Sequence, residues 1–207
     1  MSIRSKKDLE IVLSKLKVFM KPSLELEQYP TPSNIAAEWI WTMAMKREVV
    51  GKIVLDAGCG TGILGLGLLL LGARKVFFLD KDPNAMALCV ENYNLLKEEY
   101  DIAEGEFIVE DIMLFDGEVD VVVENPPFGT KEEHADRRFL EKAFSLASLV
   151  YSMHKYSTKK FLLAIAKDHH FLISEEWRYD FPIKATFQFH EKPVVRVEVG
   201  LWRMERQ

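Results

Sequence analysis

The sequence predicts an α/β fold built on a mostly parallel sheet. From Lys52 onwards, short apolar strands alternate with helix-forming stretches, and the strand-then-aspartate pattern of 52–56 recurs at 75–80. Such strands with helical crossovers indicate a parallel sheet that is covered on both faces. With 207 residues, 48% of them hydrophobic, the chain is long enough for one domain with a sizeable core.

Two helices are predicted before that sheet. In residues 5–20, apolar side chains recur at helical spacing on one face and lysines fill the other. A second helix is predicted to have Thr31 as its N-cap and Pro32 as its first residue. We therefore divide the chain into an N-terminal helical extension, residues 1–50, and an α/β domain, residues 51–207.

The rest of the domain is predicted to continue the alternation and then to change. The predicted elements are strands at 105–111 and 119–125, a helix at 135–148, a strand at 149–155, a helix at 157–170 with a Ser or Thr cap, and strand-forming stretches at 175–182, 185–190 and 194–204. The last stretches leave no room for helices between them, so they should pair antiparallel. From these eight strand-forming stretches we expect a sheet of seven strands, the last two of which form a C-terminal antiparallel hairpin.

Composition excludes several classes of protein. Cys59 and Cys89 are the only cysteines, which argues against a disulfide framework and a four-cysteine zinc site. The longest apolar run, 63–72, is too short to span a bilayer, and the first residues lack the apolar stretch of a secretory signal. We therefore expect a cytoplasmic protein with no membrane partner.

The net charge of −5 hides an uneven distribution. Residues 1–22 hold six Lys/Arg against two acids, residues 23–128 hold seven against nineteen, and residues 129–207 hold fourteen against eleven. The two basic ends are candidates for phosphate contacts, and the alternative is an ordinary solvated surface.

A glycine-rich turn, DAGCGTG at 56–62, follows the first strand of the domain. Asp56 precedes Gly58, Gly60 and Gly62, and glycine permits positive φ and a close approach of ligand to main chain. The G-x-G-x-G spacing resembles an S-adenosylmethionine loop more than the G-x-G-x-x-G of dinucleotide enzymes. No Gly-Lys-Ser/Thr follows, which excludes a P-loop.

Asp80 and Asp111 are predicted to end the second and third strands. A carboxylate at Asp80 can accept both hydroxyls of a ribose, which suits NAD and S-adenosylmethionine equally. Asp111 could face an adenine amino group, with Ile112 beside the ring. For either acid, the alternative is simple capping of the next helix.

Asn125 begins the sequence NPPF at the predicted end of a fourth parallel strand, at the edge where such sheets bind ligands. The Asn125 side-chain oxygen and the Pro126 carbonyl can accept the two hydrogens of a planar exocyclic amine. Pro126 and Pro127 have fixed φ and no N–H donors, and Phe128 can stack on the ring. Alignment of the reacting groups and directed hydrogen bonds to them are among the larger contributions to lowering an activation barrier. An ordinary Asn-Pro turn is the alternative, but the preceding loop and acids favour a catalytic motif.

NPPF is similar to the D/N/S-P-P-Y/F/W motif of amino-methyltransferases. More closely, LEQYPT (26–31), DAGCGTG, NPPFGT and RYDFP (178–182), in this order over nearly the whole chain, resemble the methyltransferase-like protein 5 family of small-subunit rRNA N6-adenosine methyltransferases. The resemblance implies a Rossmann-like class I S-adenosylmethionine-dependent fold. It also implies methyl transfer to a flipped-out adenine of RNA, with S-adenosyl-L-methionine as the cofactor.

The resemblance further implies that the N-terminal extension contributes to the cofactor site. Gln28 and Thr31 would close over the cofactor, with further contacts from Gly58, Thr61, Ile63, Asp80, Asp111, Ile112 and Asn125. Eukaryotic members of the family work with a small zinc-containing activator subunit, which makes such a subunit a candidate partner. No metal site is expected in the chain itself, because His169, His170 and His190 lack a recognisable ligand spacing.

Two other functions remain open from the sequence. Glutamine N-methylation of a release factor uses an N-P-P-Y-type site, but those enzymes usually carry a separate N-terminal helical domain, and only about fifty residues precede the glycine loop here. The second alternative is a non-catalytic partner subunit that keeps the methyltransferase fold. The intact Asp56, Asp80 and NPPF argue against it.

Overall fold

The computed structural model describes residues 2–19, 23, 28–127, 135–184 and 194–207. The helices and strands in chain order are α1 (Lys6–Leu13), α2 (Ser33–Met45), β1 (Ile53–Ala57), α3 (Ile63–Leu70), β2 (Lys75–Asp80), α4 (Pro83–Glu99), β3 (Glu104–Val109), a 3₁₀ turn (Ile112–Leu114), β4 (Val121–Glu124), α5 (Ala135–Leu146), β5 (Leu149–Lys155), a 3₁₀ turn (Tyr156–Thr158), α6 (Lys159–Asp168), β6 (Phe171–Lys184) and β7 (Val194–Arg206).

The strands form one sheet of seven in the order β3-β2-β1-β4-β5-β7-β6. β1 to β5 run parallel, β7 runs antiparallel to β5, and β6 pairs antiparallel with β7. The predicted architecture, including the C-terminal hairpin, is therefore confirmed. The stretch predicted as a strand at 185–190 lies outside the described residues.

Apolar residues fill both faces of the sheet. Val121 and Val123 of β4 join the core cluster that contains Trp39 of α2, whereas Val122 joins the opposite cluster with Leu140 of α5. Alternate residues of one strand thus enter different cores, which is why the central strands are apolar throughout. The N-terminal helices belong to the first of these clusters, so they share a core with α3.

The first helix is shorter than predicted, because α1 ends at Leu13 instead of continuing to residue 20. The main chain of Lys17 pairs with the buried side chain of Asn92 on α4: its N–H donates to Oδ1 over 2.8 Å, and its carbonyl accepts from Nδ2 over 3.0 Å. Groups that would continue a helix are therefore used for a tertiary contact. Within the described ranges, no helix is long and apolar enough to cross a membrane.

Of the two predicted helix caps with a hydroxyl side chain, the one at Thr31 is wrong. Pro32 is itself the N-cap of α2, without a side-chain hydrogen bond, so Thr31 lies outside the helix. Thr158 is the N-cap of α6, as predicted, but it makes no side-chain cap hydrogen bond, because its hydroxyl donates to the carbonyl of Lys155. The hydroxyl of Thr31 instead reaches the end of β4, which places it in the candidate site.

Candidate active site

The glycine loop joins β1 to α3 at the carboxyl edge of the sheet. The backbone φ angles of Gly58, Gly60 and Gly62 are +68°, +55° and +85°, values that residues with a Cβ rarely adopt. The N–H groups of Gly58 and Cys59 both donate to the carbonyl of Leu79, over 2.8 and 3.0 Å. The loop is therefore tied to the end of β2 and held in one shape.

Asp56 lies beneath this loop and is 1% exposed. Its Oδ2 accepts from the N–H of Gly65 over 2.8 Å, which secures the first turn of α3. Burial raises the pKa of Asp56 to about 7, partly offset by the Gly65 hydrogen bond, and the nearby Asp80 raises it further. Thr61 is buried in the loop, and Ile63 is the first residue of α3.

Asp80 faces the loop from the end of β2. Its Oδ2 accepts from the N–H of Gly60 over 2.8 Å, and its Oδ1 accepts from the N–H of Asp82 over 2.9 Å. The cap of α4 is Asp82, whose Oδ1 accepts from the N–H of Asn84 over 2.9 Å. Burial raises the pKa of Asp80. Because each carboxylate oxygen has two acceptor sites, Asp80 can still accept from a ligand.

Asp111 has a different environment from the one predicted. β3 ends at Val109, so the expectation that Asp111 ends this strand is wrong. Asp111 is exposed and caps the following 3₁₀ turn, with Oδ1 accepting from the N–H of Met113 over 2.9 Å. The strand therefore ends two residues earlier than predicted, and the Asp111 side chain accepts from a main-chain N–H of the turn that follows. Ile112 is buried in the core below.

The N-terminal extension reaches both halves of the site. Gln28 Nε2 donates to Asp82 Oδ2 over 2.6 Å, next to Asp80. Three residues later, Thr31 Oγ1 accepts from Asn125 Nδ2 over 3.0 Å. Gln28 and Thr31, which the family resemblance implied, therefore connect the N-terminus of α4 with Asn125 of the NPPF motif.

The amide of Asn125 lies directly after β4. While its Nδ2 donates to Thr31, its Oδ1 is buried and has no hydrogen-bond partner among the residues that the structure describes. Pro126 is buried and Pro127 half-buried beside it. Phe128, the last residue of the motif, lies outside the described residues. An unpaired buried acceptor is costly, so this oxygen is available to a ligand that donates a hydrogen bond.

Sequence reasoning missed several residues that shape the site. The ring of Phe19 lies against the loop, 3.6 Å from where a Cβ on Gly60 would be, and Phe139 of α5 approaches Gly58 in the same way at 3.2 Å. Asn92 also donates to the carbonyl of Thr61 over 3.0 Å. A buried asparagine in the middle of an amphipathic helix was the available signal for this last contact.

The arrangement fits S-adenosylmethionine. The half-buried Gly58 and Gly60 carry no side chain that would keep a ligand from the main chain. Beside them, Asp80 is a partly buried carboxylate with remaining acceptor capacity, as the hydroxyls of a ribose require. In the part of the chain that the structure describes, no group of three or more His, Cys, Asp or Glu is arranged to hold a metal ion.

Comparisons with known proteins agree with this geometry. The profile of the methyltransferase small domain matches residues 39–148. The rRNA N(6)-adenosine-methyltransferase METTL5 of Danio rerio is 34% identical, with 95% of this chain and 97% of the relative covered. The corresponding Drosophila melanogaster enzyme is 35% identical, with 95% and 94% covered.

A solved structure gives the same result. A Pyrococcus horikoshii protein, provisionally assigned as an RNA methyltransferase, is 38% identical and superimposes with a TM-score of 0.87, covering 99% of this chain and 98% of that one. The chain therefore belongs to the methyltransferase small domain family and, within it, to the family of the METTL5-type rRNA N(6)-adenosine-methyltransferases.

Proposed function

We propose that the protein is an S-adenosylmethionine-dependent methyltransferase that acts on the N6 amine of an adenine in RNA, and that the RNA is that of the small ribosomal subunit. The named relatives support RNA and the N6 position. The observation that carries the chemistry is Asn125 Oδ1, which is buried at the end of β4 and has no hydrogen-bond partner in the described part of the chain. This function also agrees with the cytoplasmic location predicted from the sequence.

The exocyclic amine of adenine is a poor nucleophile, because its lone pair is delocalised into the ring. Asn125 Oδ1 and the carbonyl of Pro126 accept the two amine hydrogens and return electron density to the nitrogen. Phe128 stacks on the adenine once that base has been flipped out of its RNA helix. Preorganised acceptors of this kind lower the barrier because they need no reorganisation during the reaction.

Bound S-adenosylmethionine supplies an electrophilic methyl group. Asp80 would bind the ribose hydroxyls, the glycine loop would lie against the amino-acid tail, and Gln28 and Thr31 would close the site from the N-terminal extension. Asp56 supports the loop from below through Gly65. Roles for Asp111 and Ile112 near the adenine remain part of the proposal.

The basic ends of the chain support an RNA substrate. Lys6 pairs with Glu38, Lys17 with Glu91, and Arg137 with Glu141, and the side chains of all these pairs are at least one third exposed. Exposed ion pairs of this kind contribute little to stability. The cations can therefore exchange their partners for phosphates at little cost.

A small zinc-containing subunit is the partner that we propose from the family resemblance. β3 is an edge strand of the sheet. Its last residue, Val109, is exposed, as are Met113 and Leu114 of the 3₁₀ turn that follows. An exposed strand edge with apolar neighbours is suited to strand addition by another chain. The assay below, run with and without such a subunit, tests whether it is required.

The decisive experiment incubates the protein with tritiated S-adenosylmethionine and purified ribosomal subunits, followed by digestion of the RNA to nucleosides. We expect label in N6-methyladenosine from the small-subunit RNA. Label in protein, recovered as methylglutamine, would instead support the release-factor alternative. Absence of label with and without the partner subunit would overturn the proposal.

A further inference from the structure

Three buried polar side chains form a hydrogen-bonded line behind the NPPF motif. Ser152 Oγ lies 2.7 Å from Glu124 Oε1 and 2.6 Å from His154 Nε2. Glu124 and Ser152 are fully buried and His154 is 1% exposed. Glu124 is the residue before Asn125, and it pairs with Ser152 across the parallel strands β4 and β5. The mechanism above uses none of the three.

The protons available to this line decide its charge state. Ser152 has one hydroxyl proton, so it can donate to one neighbour and must accept from the other. If Glu124 were ionised, its Oε2 would carry charge in the core with no partner among the described residues, which also offer His154 Nδ1, then a buried acceptor, no donor. If Glu124 is a neutral acid, it donates to Ser152 and Ser152 donates to His154 Nε2. His154 Nδ1 then carries a proton that faces Asp136 Oδ2 at 3.9 Å, an electrostatic contact longer than a hydrogen bond.

The second arrangement avoids a buried unpaired charge, which carries a large penalty in the core. On the described elements around the line, the ionisable groups that face it are His154 itself and Asp136 at the start of α5. β1 presents Ala57 and β7 presents Trp202. Burial raises the pKa of Glu124 to about 8, an effect that the Ser152 hydrogen bond opposes and Asp136 increases, while burial lowers the pKa of His154 to about 3. Near neutral pH, both groups are uncharged.

We propose that Glu124, Ser152 and His154 are positioning residues that hold Asn125 for methyl transfer, and that they do so only while Glu124 is a neutral acid. The inference rests on the proposed role of Asn125. The line begins one peptide unit before Asn125 and ends facing Asp136, on the first turn of the helix that follows the motif. Ionisation of Glu124 places a charge in the core that the chain can relieve only by moving the end of β4.

The first test compares the pH dependence of the methyl-transfer rate at saturating S-adenosylmethionine. For wild type, the rate at pH 9.5 should be below about one tenth of the rate at pH 7, because Glu124 loses its proton between them. For Glu124→Gln, which cannot ionise, the ratio should stay above about one half, whatever its absolute rate. Glu118→Gln changes an exposed acid and should follow wild type. Equal alkaline losses in wild type and Glu124→Gln would overturn the inference.

A second test needs no activity. The folded pKa of Glu124 lies above its unfolded value of 4.5, so the folded state binds the extra proton between pH 4.5 and about 8. The stability that this proton contributes is present below that window and is lost as the pH rises through it. The unfolding temperature of wild type should therefore fall relative to Glu124→Gln between pH 5 and 8. Asp56 titrates in the same range, but equally in both proteins.

A constant difference in unfolding temperature would show that Glu124 is not held as an acid and would overturn the inference. Ser152→Ala separates positioning from general damage: we expect the rate constant kcat to fall roughly tenfold or more, as for a misplaced reacting group, while affinity for S-adenosylmethionine stays within about twofold. Parallel losses of both would indicate a purely structural role. Failure of wild type to methylate any RNA would instead overturn the proposed function, and with it the positioning role.

Discussion

The two halves of the site differ in how far their polar groups are already satisfied. On the cofactor side, both oxygens of Asp80 accept main-chain hydrogen bonds, Asp56 holds α3, and three glycines keep the loop in one shape. On the substrate side, the Asn125 side chain donates a hydrogen bond to Thr31, and its oxygen is buried with no hydrogen-bond partner among the described residues.

The difference separates the tasks of the two halves. Because the cofactor is the same in every reaction, a preorganised site can bind it, and the hydrogen bonds within that site need not change on binding. A reacting amine is stabilised best by an acceptor whose hydrogen bond forms only with the substrate, since interactions gained in the transition state accelerate the reaction. Substitutions in the two halves should accordingly affect different measurements.

The largest effect is expected for Asn125→Ala. Loss of the side-chain acceptor should lower kcat by roughly 100-fold or more, the range seen when one preorganised catalytic hydrogen bond is removed. Affinity for S-adenosylmethionine, measured by calorimetry, should change by less than about threefold, because the loop and Asp80 are untouched. Asn34→Ala, an exposed asparagine on α2, is the matched control. Activity of Asn125→Ala within a few-fold of wild type would remove the catalytic assignment.

The cofactor half was predictable from sequence because its signals are local. The glycine spacing at 58–62 and the acid at the end of β2 follow from chain order once the strands are recognised. The line behind NPPF gives no such signal. Glu124 at the end of an apolar strand is typical of a residue leaving the core, and its contact with Ser152, 28 residues away, depends on strand pairing that sequence spacing does not specify.

The errors in the N-terminal extension have a common cause. Thr31 and Lys17 both have local sequence contexts that favour helix, as a cap and as an interior residue. Each instead makes a long-range hydrogen bond, to Asn125 and to Asn92. These contacts connect residues 94 and 75 positions apart, so tertiary structure overrides the local preference.

A smaller effect, confined to the cofactor half, is expected for Gly62→Ala. A Cβ at this position would lie 2.4 Å from Cys89 Sγ and would impose a strained φ of +85°. The loop must shift, so affinity for S-adenosylmethionine should fall roughly 30-fold, the equivalent of about 2 kcal/mol. Gly51→Ala separates strain from crowding, because Gly51 has φ +74° with nothing within 4 Å of its added Cβ. It should cost about 1 kcal/mol of stability and leave cofactor affinity unchanged.

The smallest effect distinguishes the two strand-end acids that looked equivalent in the sequence. Asp80→Ala removes the proposed acceptor for the ribose hydroxyls and the hydrogen bond to Gly60. A charge-assisted hydrogen bond contributes about 1.5–3 kcal/mol before competition from water, so affinity should fall roughly tenfold. Asp111→Ala removes a cap on an exposed 3₁₀ turn. Because Asp111 is exposed, its proposed contact with the adenine competes with water and contributes little. Asp111→Ala should therefore destabilise the fold by about 1 kcal/mol and change affinity less than about threefold. Calorimetry on both variants at one pH gives the comparison. Equal losses would mean that Asp111 binds the cofactor as strongly as Asp80, and an unchanged affinity in Asp80→Ala would show that Asp80 serves only the loop.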